Sequence, residues 1–256
     1  MNRRAAAFLA IAVGAFSVAP FAYLALLSLA GPWEFPALLP SSLRLDRWTG
    51  ILAGDRGLTR SLGVSLVVST AVGLLASAGG FVAARAVCVH RRGRDLLLLA
   101  YLPFAASPVI LGVCLLYVYI RLGLVATLAG VVLSHTVFAL GFAVVFWTPF
   151  WNAEKRAFED LVRTLGGTTL DAFRRVLLPL SRGPFLVCFF QAFLISWFQY
   201  GLTLLVGSGK VDTLPLRVYA YVYEANLGYA AVASVLLVLP PAALLWINTR
   251  VVRRLF

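Results

Sequence analysis

Residues 159–180 read EDLVRTLGGTTLDAFRRVLLPL, a stretch that places charged residues, a double glycine and a Leu-Pro pair between two strongly hydrophobic segments. Charged residues are scarce in this chain, at 12% of 256 residues, whereas 61% of the residues are hydrophobic. A polar insert in so apolar a chain indicates the place where a membrane-embedded part meets a soluble partner. The fold class follows from the hydrophobic segments on either side of the insert.

These hydrophobic segments predict an all-α membrane protein with six transmembrane helices. Each segment is long enough to cross about 30 Å of hydrocarbon at about 1.5 Å per residue. Helices satisfy their own backbone hydrogen bonds in lipid, which excludes an open sheet, and the segments lack the alternation of β-barrel strands. The first segment is too long for a signal peptide and is counted as a helix. The predicted helices lie near residues 5–30, 61–84, 96–119, 124–147, 184–206 and 227–249, within one domain over residues 1–256.

The basic residues predict that both termini lie in the cytoplasm. On this topology, 15 of the 22 Lys and Arg residues fall on the cytoplasmic side and 7 fall outside. The net charge of +12 follows from this asymmetry and does not indicate nucleic-acid binding. The insert belongs to a loop over residues 150–183, which then faces the cytoplasm.

The insert itself has the pattern of two short helices joined by a sharp turn. Residues 151–165 carry mixed charges at helical spacing, and residues 166–167 are the glycines that end this helix. Thr168 and Asp171 have the spacing of a capping box that opens a second helix, which Pro179 is predicted to end. Apolar positions on both helices suit docking against another protein, and a solvated loop is the alternative.

Few residues in the chain are suited to catalysis. The three cysteines have no CxxC or metal-ligand spacing, the carboxylates fall in loops, and no HExxH, GxSxG or P-loop motif is present. An enzyme that acts inside the membrane would need ionisable groups within its helices. His135, in the fourth helix, is the clear case, and a hydrogen bond between helices is favoured for it over a proton relay.

A polar stripe on the fifth helix is the candidate for the translocation path. Ser196, Gln199 and Thr203 are spaced i, i+3 and i+7, so on one helix they share a face. Hydrogen bonding between helices is an equal alternative for these side chains, and Gln191 and Tyr200 are weaker members of the stripe. The third helix is predicted to be kinked or interrupted, near the path, by Pro103, Pro108 and Gly112.

The insert resembles the EAA loop of permease subunits of type I, binding-protein-dependent ATP-binding-cassette importers. That pattern is EAA, three residues, Gly, nine residues, Ile, any residue and Leu-Pro, and residues 160–162, Gly166, Val176 and residues 178–179 occupy its positions with every gap kept. Two departures are present: Asp160 replaces the glutamate, with Glu159 beside it, and bulkier residues replace the two alanines. The resemblance continues over most of residues 61–249, through YLPFAASPVILGVCLLY, SHTVFALGF, SWFQYGLTLLVG and TLPLRVYAYV.

The resemblance implies a transport subunit that hydrolyses nothing itself. In such importers the insert forms a coupling helix in a groove of a separate ATPase subunit, which binds ATP and Mg, so no cofactor is expected in this chain. Six helices are half of a complete permease, so a second permease subunit, identical or paralogous, and an extracytoplasmic solute-binding protein are implied as partners in the bacterial inner membrane. The residues implied for coupling are Glu159, Asp160, Arg163, Gly166, Phe173, Arg174, Arg175 and Pro179.

The solute is left open by the sequence. Related polyamine-type permeases tend to carry acidic residues where this chain has Phe198 and Gln199, so the resemblance disfavours a polycation. Iron(III), thiamine-like, phosphonate and other anionic solutes all remain, and a polyamine is disfavoured without being excluded. A stand-alone secondary carrier is the alternative function; it would usually show inverted repeats or membrane carboxylates, which this sequence lacks.

Overall fold

A computed structural model describes residues 3–31, 40, 42–53 and 56–255 of the chain. This part is almost entirely helical, and its one β feature is an isolated bridge between Ala30 and Leu43. A 3₁₀ turn (Thr148–Phe150) follows α6, and a π-helical turn (Phe173–Leu177) joins α8 to α9. The helices are α1 Arg3–Leu29, α2 Asp46–Ala53, α3 Arg56–Val89, α4 Gly93–Ala105, α5 Pro108–Leu122, α6 Leu128–Trp147, α7 Ala153–Thr164, α8 Thr169–Ala172, α9 Leu178–Trp197, α10 Gly201–Gly207, α11 Leu214–Tyr223 and α12 Leu227–Leu255.

The predicted all-α membrane fold is confirmed. Among the described residues, five stretches of helix are long and apolar enough to cross a membrane, and there are six if the bent pair α4–α5 is counted as one span. Membrane helices need such length because lipid offers no partners for backbone polar groups. The chain groups into two compact units, one of residues 1–62 and 214–242 and one of residues 63–213 and 243–256. The single domain over residues 1–256 stays a prediction.

The first unit contains α1, α2, α11 and most of α12. The end of α1 is tied to the following segment by backbone hydrogen bonds, from Gly31 N to Ser42 O at 2.8 Å and from Arg44 N to Leu29 O at 2.7 Å. The Arg47 guanidinium donates to the Ala30 carbonyl at 2.5 Å. Along α1 itself the described side chains are mostly exposed and apolar, with Phe16 84% exposed, as expected of a helix that faces lipid or another subunit.

The second unit holds the main hydrophobic core, built from α3, α6 and α9. Small residues let these helices approach closely. In lipid the hydrophobic effect does not drive helices together, so close van der Waals packing stabilises their association. On α3, Ser65, Ser69, Gly73 and Ser77 recur every four residues, and a side chain at Gly73 would come within 2.8 Å of the Phe189 ring on α9. Further along, α6 is packed against both α4 and α9.

The predicted interruption of the third helix is confirmed. Helices α4 and α5 meet at a bend of 103°. Pro108 occupies the first turn of α5, and Ser107 precedes it in an extended conformation and caps the Val109 N–H. Proline disfavours helical geometry in the residue before it, so the chain leaves the helix there and starts a new one.

The fifth helix differs from its prediction at both ends. It was expected as one helix over 184–206, but α9 begins at Leu178, ends at Trp197, and is followed after a break by α10. The break lets α10 pack against α5 and α6, where Gly201 lies so close to Val109 that an added Cβ would be 3.1 Å from its side chain. Apolar composition continues through the break, and no proline stands in it, so the pattern of the sequence did not reveal it.

Candidate functional site

Helix α7 forms the first half of the polar insert and is amphipathic. Its N-terminus is capped by Asn152, whose side chain accepts the Lys155 N–H at 3.1 Å. Lys155, Phe158, Glu159 and Val162 are partly buried and recur at i, i+3, i+4 and i+7, so they share the inward face. The predicted helix over residues 151–165 is confirmed, although it begins two residues later and ends one residue earlier than predicted.

The helix α7 ends at the double glycine, as predicted. Gly166 has a φ of +81°, a left-handed conformation that favours glycine. The Gly166 N–H donates to the Arg163 carbonyl at 3.0 Å and the Gly167 N–H to the Val162 carbonyl at 2.9 Å, so the end of the helix is satisfied by the turn. The double glycine therefore ends the helix and pairs two of its last carbonyls.

The capping box at the start of α8 is also confirmed. The Asp171 N–H donates to the Thr168 hydroxyl oxygen at 3.2 Å, and the Thr168 N–H donates to the Asp171 carboxylate at 3.0 Å. Each group satisfies a backbone donor that the first turn of a helix leaves free, and such caps stabilise a helix by about 1 kcal/mol. The geometry fixes the direction in which α8 leaves the turn.

Pro179 does not end a helix, contrary to its predicted role. Backbone helix continues from α8 through the π-helical turn into α9, and Pro179 stands in the first turn of α9. The Leu178 N–H donates to the Phe173 carbonyl, five residues back, so the hydrogen-bond register shifts by one residue just before the proline. A π turn of this kind accommodates a residue that lacks an N–H and would clash with the preceding turn. The membrane helix thus begins inside the predicted loop over 150–183.

One face of the insert is exposed and combines charge with apolar area; we call it the coupling surface. Its leucines are unusually open, with Leu161 and Leu170 each 55% exposed and Leu165 79% exposed. These leucines stand among charged residues along the insert. Such a patch indicates a protein interface. The coupling surface consists of Asp160, Leu161, Arg163, Leu165, Gly166, Leu170, Arg174 and Arg175, all exposed.

The opposite face is anchored to the last turns of α3. The Arg85 guanidinium and the Glu159 carboxylate form an ion pair at 3.0 Å, in which the Glu159 side chain is 15% exposed. Arg85 also lies over the Trp151 ring at 5.4 Å, and the Trp151 indole N–H donates to the Phe81 carbonyl at 3.0 Å. The Arg156 guanidinium donates to the carbonyl of Cys88 at 2.6 Å. Every partner on α3 in these contacts lies between residues 81 and 88.

These contacts separate the predicted coupling residues into two groups. Asp160, Arg163, Arg174 and Arg175 are exposed on the coupling surface, whereas Glu159 and Phe173 face the interior of the subunit. The Phe173 ring lies 6.0 Å from that of Phe81, within a cluster of aromatic side chains that pack edge-on or tilted. Sequence reasoning did not find Phe81, Arg85 or Trp151 as parts of this site, because their roles depend on contacts about 70 residues apart. The cluster consists of Phe81, Trp147, Phe150, Trp151 and Phe173.

The predicted translocation stripe is arranged differently from the expectation. Ser196 lies near the end of α9 and Thr203 in α10, so they are not on one continuous helix. Both hydroxyls reach His135 on α6: Ser196 Oγ is 2.9 Å from Nδ1, and Thr203 Oγ1 is 2.9 Å from Nε2. All three side chains are buried within the subunit. Ser196 and Thr203 therefore form hydrogen bonds between helices, which was the alternative for the stripe and the favoured role of His135. Gln199 is buried in the break between α9 and α10.

The second unit thus combines helices of membrane-spanning length with an exposed, charged segment that lies between α6 and α9. The sequence profile of the binding-protein-dependent transport system inner membrane component matches residues 76–256. The chain belongs to this family. It is a permease subunit of an ATP-driven solute importer, and the stand-alone carrier is excluded as its function.

Relatives with assigned names are permeases of the same kind. The trehalose transport system permease protein SugB of Mycobacterium tuberculosis is 27% identical over 79% of this chain and 76% of its own length. The molybdenum transport system permease protein ModB of Mycobacterium bovis is 32% identical, over 62% of this chain and 66% of its own length. The names of these relatives refer to trehalose and to molybdenum, so the family membership leaves the solute undecided.

Solved structures share the fold at low sequence identity. A chain of the inward-facing MetNI methionine ABC transporter aligns with a TM-score of 0.60 and 18% identity, over 78% of this chain and 96% of that one. A chain of a bacterial ABC transporter involved in the import of alginate aligns with a TM-score of 0.61 and 16% identity, over 99% of this chain and 97% of that one. The importer permease fold is thus retained where the sequences have diverged.

Proposed function

We propose that the coupling surface docks into a groove of a separate ATPase subunit, and that this contact converts ATP binding and hydrolysis into alternating access. The observation that carries the proposal is the set of exposed leucines among charged residues on a segment fixed to α3. Apolar side chains would supply the contact area, and the charges would set the orientation of the partner. ATP and Mg are bound by the ATPase, and this chain contributes no catalytic group.

The anchoring contacts give the movement a route into the membrane. When the ATPase dimer closes, the insert moves with it, and the ion pair of Arg85 with Glu159 resists separation of α7 from α3. The indole hydrogen bond of Trp151 to Phe81 and the aromatic cluster act in parallel. Well-packed elements move as units rather than deform, so α3 follows the insert. The contacts support α3 as the helix that receives the motion first.

The importer needs further subunits. A second permease subunit, identical or paralogous, completes the pathway, and an extracytoplasmic solute-binding protein delivers the solute. The excess of basic residues on one side supports a topology with the insert and both termini in the cytoplasm. The segment over residues 212–224, rich in tyrosine, then lies outside, where it meets either the binding protein or the lipid interface.

A neutral or anionic solute fits the membrane helices better than a cation. Helices α5, α6, α9, α10 and α11 contain no Asp or Glu, so no carboxylate from them is available to balance a cation in the membrane. The named relatives, a trehalose and a molybdenum permease, are in line with this class. Thermal shift of the complex with trehalose and with molybdate, delivered by its own binding protein, would separate these two solutes.

The contact with the ATPase is tested by reversing one charge on the coupling surface. We expect Asp160→Arg to lower the amount of ATPase that co-purifies with a C-terminally tagged chain by about tenfold or more, because like charges across an interface cost several kcal/mol. The matched control is Glu154→Arg on the same helix, whose carboxylate is paired with Lys155 at 3.1 Å and lies on another part of the surface. The measurement is quantitative mass spectrometry of the purified complex.

The expected outcome is loss of the ATPase from the first variant alone, with both variants present in the membrane at the wild-type level. Equal recovery of the ATPase with Asp160→Arg and with the wild type would reject this surface as the contact. Equal loss from both variants would indicate a general effect of charge rather than a defined groove.

A further inference from the structure

The turn between α3 and α4 carries a group of cations that its own chain does not neutralise. Arg91, Arg92 and Arg94 are exposed, and within the described residues none of their guanidinium groups has a carboxylate within 4.0 Å. Asp95, the nearest acid along the chain, forms no ion pair with them. By contrast, Arg85 in the preceding helix is paired. The turn therefore presents a concentrated positive charge.

The cations border an open pocket with an apolar wall. The pocket has a volume of about 530 Å³ and is lined by Ala86, Val89, His90, Arg91 and Arg92. The Arg92 N–H donates to His90 Nδ1 at 3.0 Å, which fixes the imidazole ring. Because Nδ1 accepts this bond, the proton of the neutral ring is on Nε2, which adds a donor beside the two guanidinium groups. Polar donors at one side and aliphatic groups at the other are thus available to one amphipathic ligand.

Exposed apolar side chains follow the turn within a distance that suits a lipid headgroup. Helix α4 becomes apolar directly after Asp95, and Leu98 and Leu99 are 61% and 58% exposed. They follow Arg94 by four and five residues, or about 6–8 Å along a helix. The polar layer on each side of a membrane has about this thickness, since it adds about 10–15 Å in total to a 30 Å core. Val89, at the end of α3, is itself 70% exposed.

We propose that this pocket binds an anionic phospholipid, with the phosphate on Arg91, Arg92 and His90 and an acyl chain along Val89 toward Leu98. The charge and the donors match a lipid headgroup, and the exposed side chains of Val89, Leu98 and Leu99 offer apolar surface for an acyl chain. Basic pockets between membrane helices bind such lipids. An acidic surface of a partner protein would match the charge but leave the apolar wall unoccupied. The proposal does not depend on the ATPase contact.

The test uses the purified full-length chain and phosphatidylglycerol as the probe, with phosphatidylcholine as the neutral lipid of similar shape. Binding is measured by native mass spectrometry over a lipid titration. We expect Arg91→Gln/Arg92→Gln to weaken phosphatidylglycerol binding about thirtyfold, about fivefold for each arginine, and to leave phosphatidylcholine binding unchanged. Arg91→Lys/Arg92→Lys, which keeps the charges, retains binding. The matched control is Arg121→Gln/Lys210→Gln, which removes two other exposed cations.

Several results would overturn the proposal. Equal loss of lipid binding in the two double glutamine variants would show that only net charge matters. Unchanged binding in Arg91→Gln/Arg92→Gln would show that the pocket is not the lipid site. Competition by glycerol 3-phosphate as strong as that by the whole lipid would indicate a site for soluble phosphate. Loss of a partner protein from the first pair, with lipid affinity retained, would assign the turn to that partner. Equal melting temperatures of all variants verify that each one is folded.

Discussion

At the scale of single residues, the hydrogen bonds of His135 have one consistent direction. The Thr203 hydroxyl donates to the Gln199 carbonyl at 3.1 Å, so toward His135 it acts as the acceptor of Nε2–H. Nδ1 is then an acceptor, and the Ser196 hydroxyl donates to it. One imidazole therefore holds the last turn of α9 and the middle of α10, on both sides of the break, against α6.

This direction predicts different effects for two substitutions of Thr203. Thr203→Val keeps the shape but removes the acceptor of Nε2–H, and leaves a buried N–H without a partner, at a cost of about 1–2 kcal/mol. Thr203→Ser keeps the hydroxyl and serves as the matched control. We expect a lower melting temperature for the valine variant only, measured by the intrinsic fluorescence of the protein in nanodiscs. Equal melting temperatures for the two variants would show that the hydrogen bond contributes nothing.

The residue scale also shows where sequence reasoning ends. His135 was recognised as the ionisable group within a helix, because such groups are rare in lipid and need partners. The partners were correct in kind, but the helical spacing that grouped Ser196 with Thr203 assumed a helix that the chain does not form. A stripe derived from spacing alone holds only where the backbone is continuous.

At the scale of elements, local signals were the reliable part of the prediction. The double glycine and the capping box of Thr168 with Asp171 act over a few residues, and the structure shows the expected turn. Pro108 likewise ended one helix and began another. The role of Pro179 was mispredicted because a π turn, which leaves no clear pattern in the sequence, accommodates it. The ion pair of Arg85 with Glu159 joins residues 74 positions apart, beyond any local signal.

This ion pair predicts that two charge reversals compensate each other. Arg85→Glu alone and Glu159→Arg alone place like charges at the contact, so α7 should detach from α3 more often. We expect chymotrypsin to cleave after Phe158 or Leu161 about 5- to 30-fold faster in each single variant, for a loss of about 1–2 kcal/mol. The double variant Arg85→Glu/Glu159→Arg restores an opposite pair and most of the protection. Chymotrypsin is used because neither change adds or removes a residue after which it cleaves, and the rates are compared at Leu161 because residue 159 directly follows the Phe158 bond.

The control for this cycle is Glu154→Arg on the same helix, where the Glu154 side chain is 63% exposed, and this change should alter the cleavage rate less than about twofold. If the free-energy effects of the two single substitutions simply add in the double variant, the two residues act independently. In that case the aromatic cluster, rather than the ion pair, would account for the attachment of α7 to α3.

At the scale of the whole molecule, composition decided the environment and long-range contacts decided the details. A chain that is 61% hydrophobic has to place its helices in lipid, and the family fold is shared with importer permeases at 16% and 18% identity. Fold class is therefore robust to sequence change, since many apolar sequences satisfy the same spans. The contacts that define the candidate site depend on a few particular side chains, which is why the sequence located the insert but not its anchors.

Charge asymmetry gives the last prediction, the orientation of the chain in the membrane. With 15 of 22 basic residues on one side, the insert is expected in the cytoplasm and the turn at Lys210 outside. In a background without Cys88, Cys114 and Cys188, a membrane-impermeant maleimide applied to spheroplasts should label Lys210→Cys and leave Asp160→Cys unlabelled until the membrane is permeabilised. Both positions are exposed in the chain, and the chain is expressed without its ATPase, so access to the reagent differs only through the membrane. Labelling of Asp160→Cys in sealed cells would invert the topology and would exclude the insert as a contact for a cytoplasmic ATPase.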